Sequence, residues 1–320
     1  MAHHFESGMF VRTPAWHQLG NVLQDWPGSF EEARVQAGLT WDVMSKPVFD
    51  EDSQEIEGFQ RIVRNDNEKT LTIQKDSYAV INNEQIGNVI DFVMNGDKDN
   101  PKIPNLKFET LISLREGRQI IATMYLDEPI TLPGDPSETY PYMVFITRHD
   151  GQGGMRLGPT AVRVVCANTQ YIAEKELDRN GLGFTIKHTS NWQGRLEQAR
   201  AALTSTFESF GRWEDMARNF ARSSVSLADT EDFLDKWLPY STDQSNRERD
   251  NVTQQRSQFK ALLNSETCKG IVGTKWGLLQ ASIELSDHYT KSHSLDSEIT
   301  RILSTPQSKK PAAVRILQKL

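Results

Sequence analysis

Residues 106–126, LKFETLISLREGRQIIATMYL, and 142–166, YMVFITRHDGQGGMRLGPTAVRVVC, decide the fold. Over 106–114 apolar and polar residues alternate, imperfectly, as in a strand with one buried face. Arg115-Glu116-Gly117-Arg118 is a turn, with Gly117 free to take a positive φ, and 119–126 returns as a second strand. Residues 142–148 and 160–166 are two further strands, joined by the glycine-rich loop 149–158. A helix is expected before them at 84–95, with Ile86, Val89, Ile90 and Val93 on one face and Gly96 as its stop. Another is expected after them at 168–177, with Asn168 as N-cap. Helix, four strands and helix make an α+β fold: an antiparallel meander with packed helices, a β-β-β-α-like core.

Upstream, 61–64 and 69–75 flank the turn residues Asn65-Asp66-Asn67 as a hairpin, and 77–81 is expected to be a short strand. Residues 1–60 carry Pro14, Pro27 and Pro47 and are expected to be irregular and packed on the core through Trp16, Trp26, Phe30, Leu39 and Trp41. They hold one short helix at 29–37, capped by Ser29 and stopped by Gly38. From 191 onward the periodicity is helical. Helices are expected at 192–222, 230–238, 246–263, 274–289, 296–303 and 312–320, with a polar connection at 239–251. The expected organisation is therefore an N-terminal segment (1–60), an α+β core (61–190) and a helical C-terminal domain (191–320).

The 320 residues include 37% hydrophobic residues, enough for a core, and no apolar stretch long enough to span a membrane. The N-terminus lacks the basic start and apolar run of a signal peptide, and two cysteines 102 positions apart make no disulfide framework. A cytoplasmic location follows as the expectation. Net charge is −7, but it is unevenly distributed. Residues 1–150 hold 13 basic and 24 acidic residues, net −11, and residues 151–320 hold 23 and 19, net +4. An acidic face and a basic face are expected, the second suited to a polyanion.

The chemistry-bearing motifs are sparse. The loop at 151–158 has the glycines of a phosphate loop, but no Gly-Lys-Ser/Thr follows and the next element is a strand. It reads either as a plain hairpin loop or as one that lets Arg156 and backbone amides approach a nucleic-acid backbone. His17, His149-Asp150 and Asp287-His288 lack metal-ligand spacing, and no cofactor is expected. Cys166 lies among apolar residues at a strand end, which suits a structural thiol better than a nucleophile. No Gly-x-Ser-x-Gly occurs, so an enzyme is not the expectation. Basic residues interleaved with Asn, Thr and aromatics (Arg148, Arg156, Arg163, Asn168, Thr169, Tyr171, Lys187) fit either a solvated face or a single-strand groove.

Four short motifs occur in order. Thr13-Pro14-Ala15-Trp16-His17-Gln18-Leu19-Gly20 resembles a "PWHGLG" segment, and Arg148-His149-Asp150-Gly151 resembles "SHDGS". Arg163-Val164-Val165-Cys166-Ala167-Asn168-Thr169 is similar to "RVVCxNT", and Gly273-Thr274-Lys275-Trp276-Gly277 with Ala281, Glu284 and Asp287-His288 to "GTxWxxxNAxxExxDH". Together they resemble the phage/plasmid-like proteins whose core domain is of unknown function. Ala15, Gln18 and Gln280 depart from that pattern. The resemblance implies a phage context. Its hairpin-rich core is similar in outline to the single-strand annealing recombinases of the Redβ, RecT and Erf type. It thereby implies ATP-independent binding and annealing of single-stranded DNA by a homo-oligomeric ring or filament in the host cytoplasm. The residues expected to bind DNA are Arg148, Arg156, Arg163, Asn168, Thr169 and Lys187. The alternatives are a host-interaction or anti-defence protein acting by protein binding, and a metal-dependent enzyme using His149, Asp150, Asp287 and His288.

Overall fold

The computed structural model describes residues 5–11, 20–94, 106–126, 128–163, 168–171, 184–192, 196–289 and 309–320. The chain is α+β with antiparallel sheets and a helical C-terminal region, as the periodicities require. It divides into two compact units, each built from several segments. The first comprises residues 1–127, 142–159 and 182–207, the second 128–141, 160–181 and 208–320. The expected boundaries at 60 and 190 are not the boundaries of these units.

The meander is formed by β6 (Lys107–Leu114), β7 (Gln119–Tyr125), β8 (Thr139–Arg148) and β9 (Met155–Arg163), with residues 139–141 and 160–163 counted in the second unit. β6 pairs β7 from Lys107 opposite Tyr125 to Leu114 opposite Gln119, and β7 pairs β8 from Gln119 opposite Arg148 to Tyr125 opposite Tyr142. The hairpin turn takes three consecutive residues through positive φ: Arg115, Glu116 and Gly117. Only the third has to be glycine for space, because a Cβ there would sit 2.8 Å from the Trp41 ring.

Residues 5–11 and 43–60, expected to be irregular, are largely strand. β1 (Phe5–Val11) lies antiparallel on β6, and β2 (Asn21–Leu23) runs parallel to β1. Met9, Phe10 and Val11 are buried, but an apolar run this short gives little periodicity to read. A second sheet is a three-stranded meander of β3 (Val43–Phe49), β4 (Glu55–Arg64) and β5 (Thr70–Lys75). Pro47 sits in β3, an edge strand, where its missing N–H is tolerated.

Two helices accompany the first unit. Ser29 caps α1 (Phe30–Gln36) by accepting from Glu32 N, and Glu31 and Glu32 occupy the first turn. Its leading amide, Phe30 N, donates to Asp91 Oδ1 of α2 (Asn83–Met94) at 2.6 Å. The two helices approach closely because residue 87 is glycine: a Cβ there would lie 2.4 Å from Phe30.

Two expected elements differ. Residues 77–81 form a turn and an extended segment, held by Gln60 Nε2 donating to Tyr78 O and by an amide bond from Ala79 N to His188 O. Asn168 does not cap a helix. It opens β10 (Asn168–Tyr171), where it stands opposite Arg163 and Thr169 opposite Val162 of β9. N-cap preference is local and weak, and ladder pairing of a Thr- and Tyr-bearing segment overrides it. β11 (Phe184–Ile186) pairs Met155–Leu157 of β9, with Thr185 opposite Arg156.

The second unit is organised around α6 (Lys275–His288), whose residues Trp276 to Asp287 are all buried. Thr274 caps it by accepting from Gly277 N, and Trp276 Nε1 donates to Asp135 Oδ2 at 2.7 Å. Gly277 permits close packing, since a Cβ there would meet Ile271 O at 2.3 Å. Around α6 lie the second half of α3 (Leu196–Arg222), α4 (Leu227–Trp237), α5 (Asn246–Leu263) and α7 (Lys309–Leu317). Phe210, Trp213, Ala217 and Phe220 of α3 are buried at the 3–4 spacing of one helix face. Capping boxes at Ser226/Asp229 and Ser245/Glu248 start α4 and α5. Phe233, Trp237 and Phe259 cluster with ring centroids 5.6 to 5.8 Å apart. The Asp287 carboxylate of α6 meets Lys310 Nζ of α7 at 2.6 Å, each side chain only 1% exposed. The helix expected at 296–303 lies outside the described residues.

Candidate functional site

The loop between β8 and β9 gathers the polar chemistry of the first unit. Arg148 grips Asp150 with both arms of its guanidinium, Nε to Oδ1 at 2.9 Å and Nη2 to Oδ2 at 2.5 Å, and also donates to Gln152 Oε1. Burial opposes the ionised form of Asp150, but the Arg148 fork, the Gln152 amide and nearby Arg115 outweigh it and hold the carboxyl below its usual range. Gly151 has a positive φ, which favours glycine, and the end of the Gln74 side chain of β5 packs against it where a Cβ would sit.

His149 is 1% exposed. Its Nε2 lies 3.0 Å from Asn83 Oδ1, while Asn83 Nδ2 donates to Trp41 O. Asn83 therefore presents an acceptor, and Nε2 carries the proton. Burial pushes the His149 pKa down to about 3, with His188 acting in the same direction, so the ring is neutral at physiological pH.

His188 is 7% exposed and stacks on Tyr78, with ring centroids 4.8 Å apart and planes 7° from parallel. Its Nδ1 lies 3.2 Å from Ala79 O; a carbonyl only accepts, so Nδ1 is the protonated nitrogen. Burial lowers the His188 pKa against the raising effect of that bond, which leaves Nε2 with a lone pair. Neither His188 Nε2 nor Tyr78 Oη has a hydrogen-bond partner among the described residues, although both atoms are buried. Burial and the charge of Asp150 together raise the Tyr78 pKa, so the phenol keeps its proton.

Of the six residues expected to bind DNA, Arg148 and Arg156 place their side chains at this loop and Lys187 reaches it through its backbone. A Cβ placed on Gly153 would lie 3.5 Å from Arg148 Cδ and 3.9 Å from Arg156 Nη2, and one on Gly154 would lie 3.3 Å from Lys187 Cα. Arg115 adds a fourth cation close enough to Arg148 for like-charge repulsion, after burial, to lower its pKa. Arg118 belongs to the same neighbourhood; it donates to Leu71 O and Glu116, and its carbonyl accepts from His149 N. Arg163, Asn168 and Thr169 are brought together on the β9–β10 ladder, but in the second unit. His149 and Asp150 belong to the first unit and Asp287 and His288 to the second. Among the described residues no three His, Cys, Asp or Glu side chains form a group that could hold a metal ion. His17 and Cys166 lie outside the described residues.

Tyr78, Asn83, Arg115 and His188 were not marked by the sequence. Tyr78 and Asn83 sit in or beside a segment that reads as strand, Arg115 reads as a turn residue, and no motif surrounds His188. The late motif, by contrast, is architectural. Gly273 has a positive φ, Thr274 is the cap, Trp276 bonds Asp135, Glu284 accepts from Thr267 Oγ1, and Asp287 pairs with Lys310.

The chain is antiparallel α+β, with two buried histidines, His149 and His188, and a glycine loop flanked by arginines. The family model described as Domain of unknown function (DUF932) matches residues 70–310, three quarters of the chain, which therefore belongs to that family. Comparison with curated proteins and with solved structures finds no match. No described helix is long and apolar enough to cross a membrane.

Proposed function

We propose that this chain is a phage-type single-stranded DNA-binding and strand-annealing protein that works without ATP, as a homo-oligomeric ring or filament in the host cytoplasm. The observation that supports this best is that the Arg148 and Arg156 side chains lie beside Gly153 and the Lys187 backbone beside Gly154, with Arg115 near Arg148. Glycines let a phosphate backbone approach closely, and the Arg156 fork can match phosphate oxygens in pairs, while Arg148, whose fork holds Asp150, contributes charge. Arg163, Asn168 and Thr169, neighbours on the β9–β10 ladder, are the remaining expected contacts. Positive charge of this kind captures the sugar-phosphate chain without reading sequence, as annealing requires.

The test is binding of a homothymidine oligonucleotide by fluorescence anisotropy over a salt series, with sizing of the complex. Four phosphate contacts predict a slope of about −2.8 in log K against log salt, hence about a fifty-fold loss between 50 and 200 mM. No binding at low salt would refute the proposal.

A second reading, a host-directed protein-binding role, draws on the three-stranded sheet. Met44, Phe49, Ile56, Phe59 and Ile73 are exposed there, beside the acidic tip Asp50-Glu51-Asp52. Recovery of one stoichiometric host protein after nuclease treatment, lost on Phe59→Ser with Ile73→Ser, would support it.

A further inference from the structure

We propose that the Tyr78–His188 pair hydrogen-bonds the edge of a single nucleobase without selecting among the four, as the base-contacting element of the site whose phosphate-facing cations are Arg148, Arg156 and Lys187. Two buried polar atoms without hydrogen-bond partners, His188 Nε2 and Tyr78 Oη, belong to one stacked ring pair. Buried polar groups are nearly always hydrogen-bonded, so two together mark a place where a partner is supplied from outside. The proton arrangement selects that partner. His188 Nδ1–H is committed to Ala79 O, so Nε2 can only accept, while the Tyr78 hydroxyl can donate. A phosphate offers only acceptors and cannot satisfy Nε2, so the pair is no additional phosphate site. The partner must carry an N–H or O–H next to an acceptor. An internal nucleotide of single-stranded DNA has no hydroxyl, but every base presents an N–H beside a ring nitrogen or a carbonyl.

The placement suits this role. Asp150, which Arg148 grips, is close enough to both Tyr78 and His188 to influence their ionisation. The base-contacting pair is thus one linked carboxylate away from a phosphate-facing arginine. The same loop continues from Asp150 through Gly151, Gly153 and Gly154, and a Cβ on Gly154 would lie 2.3 Å from Ile186 O, two residues before His188. The inference rests on the single-strand reading above.

The experiment compares binding of an oligothymidine, an abasic strand of equal length and charge, and an oligouridine to the full chain and to its Tyr78→Phe and His188→Phe variants. The expected result is that the full chain prefers oligothymidine to the abasic strand by tenfold or more. Each variant should lose most of that preference while its affinity for the abasic strand stays the same. Tyr78→Phe removes only a hydroxyl, so its folding, checked by circular dichroism, serves as the control for the larger change. An unchanged preference in both folded variants would overturn the inference and leave the single-strand reading standing. A loss confined to oligouridine would assign the pair to a ribose hydroxyl and likewise overturn it. Failure of the full chain to bind any of the three strands would overturn both.

Discussion

Lowering the pH should destabilise the first unit through His149. The sign follows from burial: the ring's pKa falls from 6.5 to about 3 in the folded chain, so the unfolded chain binds a proton that the folded one refuses. Stability is therefore full above pH 6.5 and declines as pH falls toward the folded value. Between pH 7.5 and 5.0 only the unfolded ring titrates, and the loss comes to about 2 kcal/mol. His188, also depressed, adds a loss of the same sign. The assay is urea unfolding followed by tryptophan fluorescence, since Trp41 stands edge-on to His149 with ring centroids 6.1 Å apart. His149→Gln retains a donor toward Asn83 but does not titrate. It should be less stable than the parent at pH 7.5 and should lose about 2 kcal/mol less on going to pH 5.0. Equal pH dependence of parent and variant would refute the assignment of His149 as a buried neutral ring.

Lys310→Met should destabilise the second unit by about 3–5 kcal/mol, since it leaves a buried Asp287 carboxylate uncompensated, and lower its melting temperature by about 10 °C. Adding Asp287→Leu should restore most of this, as measured by calorimetry. Arg156→Ala and Lys187→Ala should each weaken oligonucleotide binding and reduce the magnitude of the salt slope by about 0.7, read from anisotropy titrations. Gly117→Ala should cost about 1–3 kcal/mol in unfolding experiments, because the new methyl meets Trp41 at a residue held at positive φ.

The meander was legible because its strands are short apolar runs between turn signals, and they are buried on both faces: Leu111 and Ile112 on one strand, and Phe145 and Ile146 on another, are buried side by side in sequence. The C-terminal helices were legible through their apolar periodicity and, for α6, the local cap Thr274; the Ser226 cap, which starts α4 at Leu227 rather than at 230, was not read. Features that depend on distant partners were not legible. β1 pairs a strand about a hundred residues away, and Asn168 reads as a cap until β9 is placed beside it. The site was half legible. Arg148, Arg156 and Lys187 were marked by charge next to glycines. Tyr78 and His188 lie 110 positions apart, and only the exchange of bonds between Ala79 and His188 brings them together.

The interleaving of the two units constrains how the protein can be made and cut. The second unit takes segments from 128–141 and 160–181 as well as the stretch from 208 on, and the first takes 182–207 back again. Neither is a contiguous piece of chain, so no single truncation point yields an intact unit, and a library of end-trimmed fragments should give little stable protein. On the ribosome, β6 and β7 emerge well before β9 and β11, and Asp287 emerges before Lys310. Nascent chains therefore carry an open sheet edge and an unneutralised carboxylate until late in synthesis, which is when a chaperone would have most to bind.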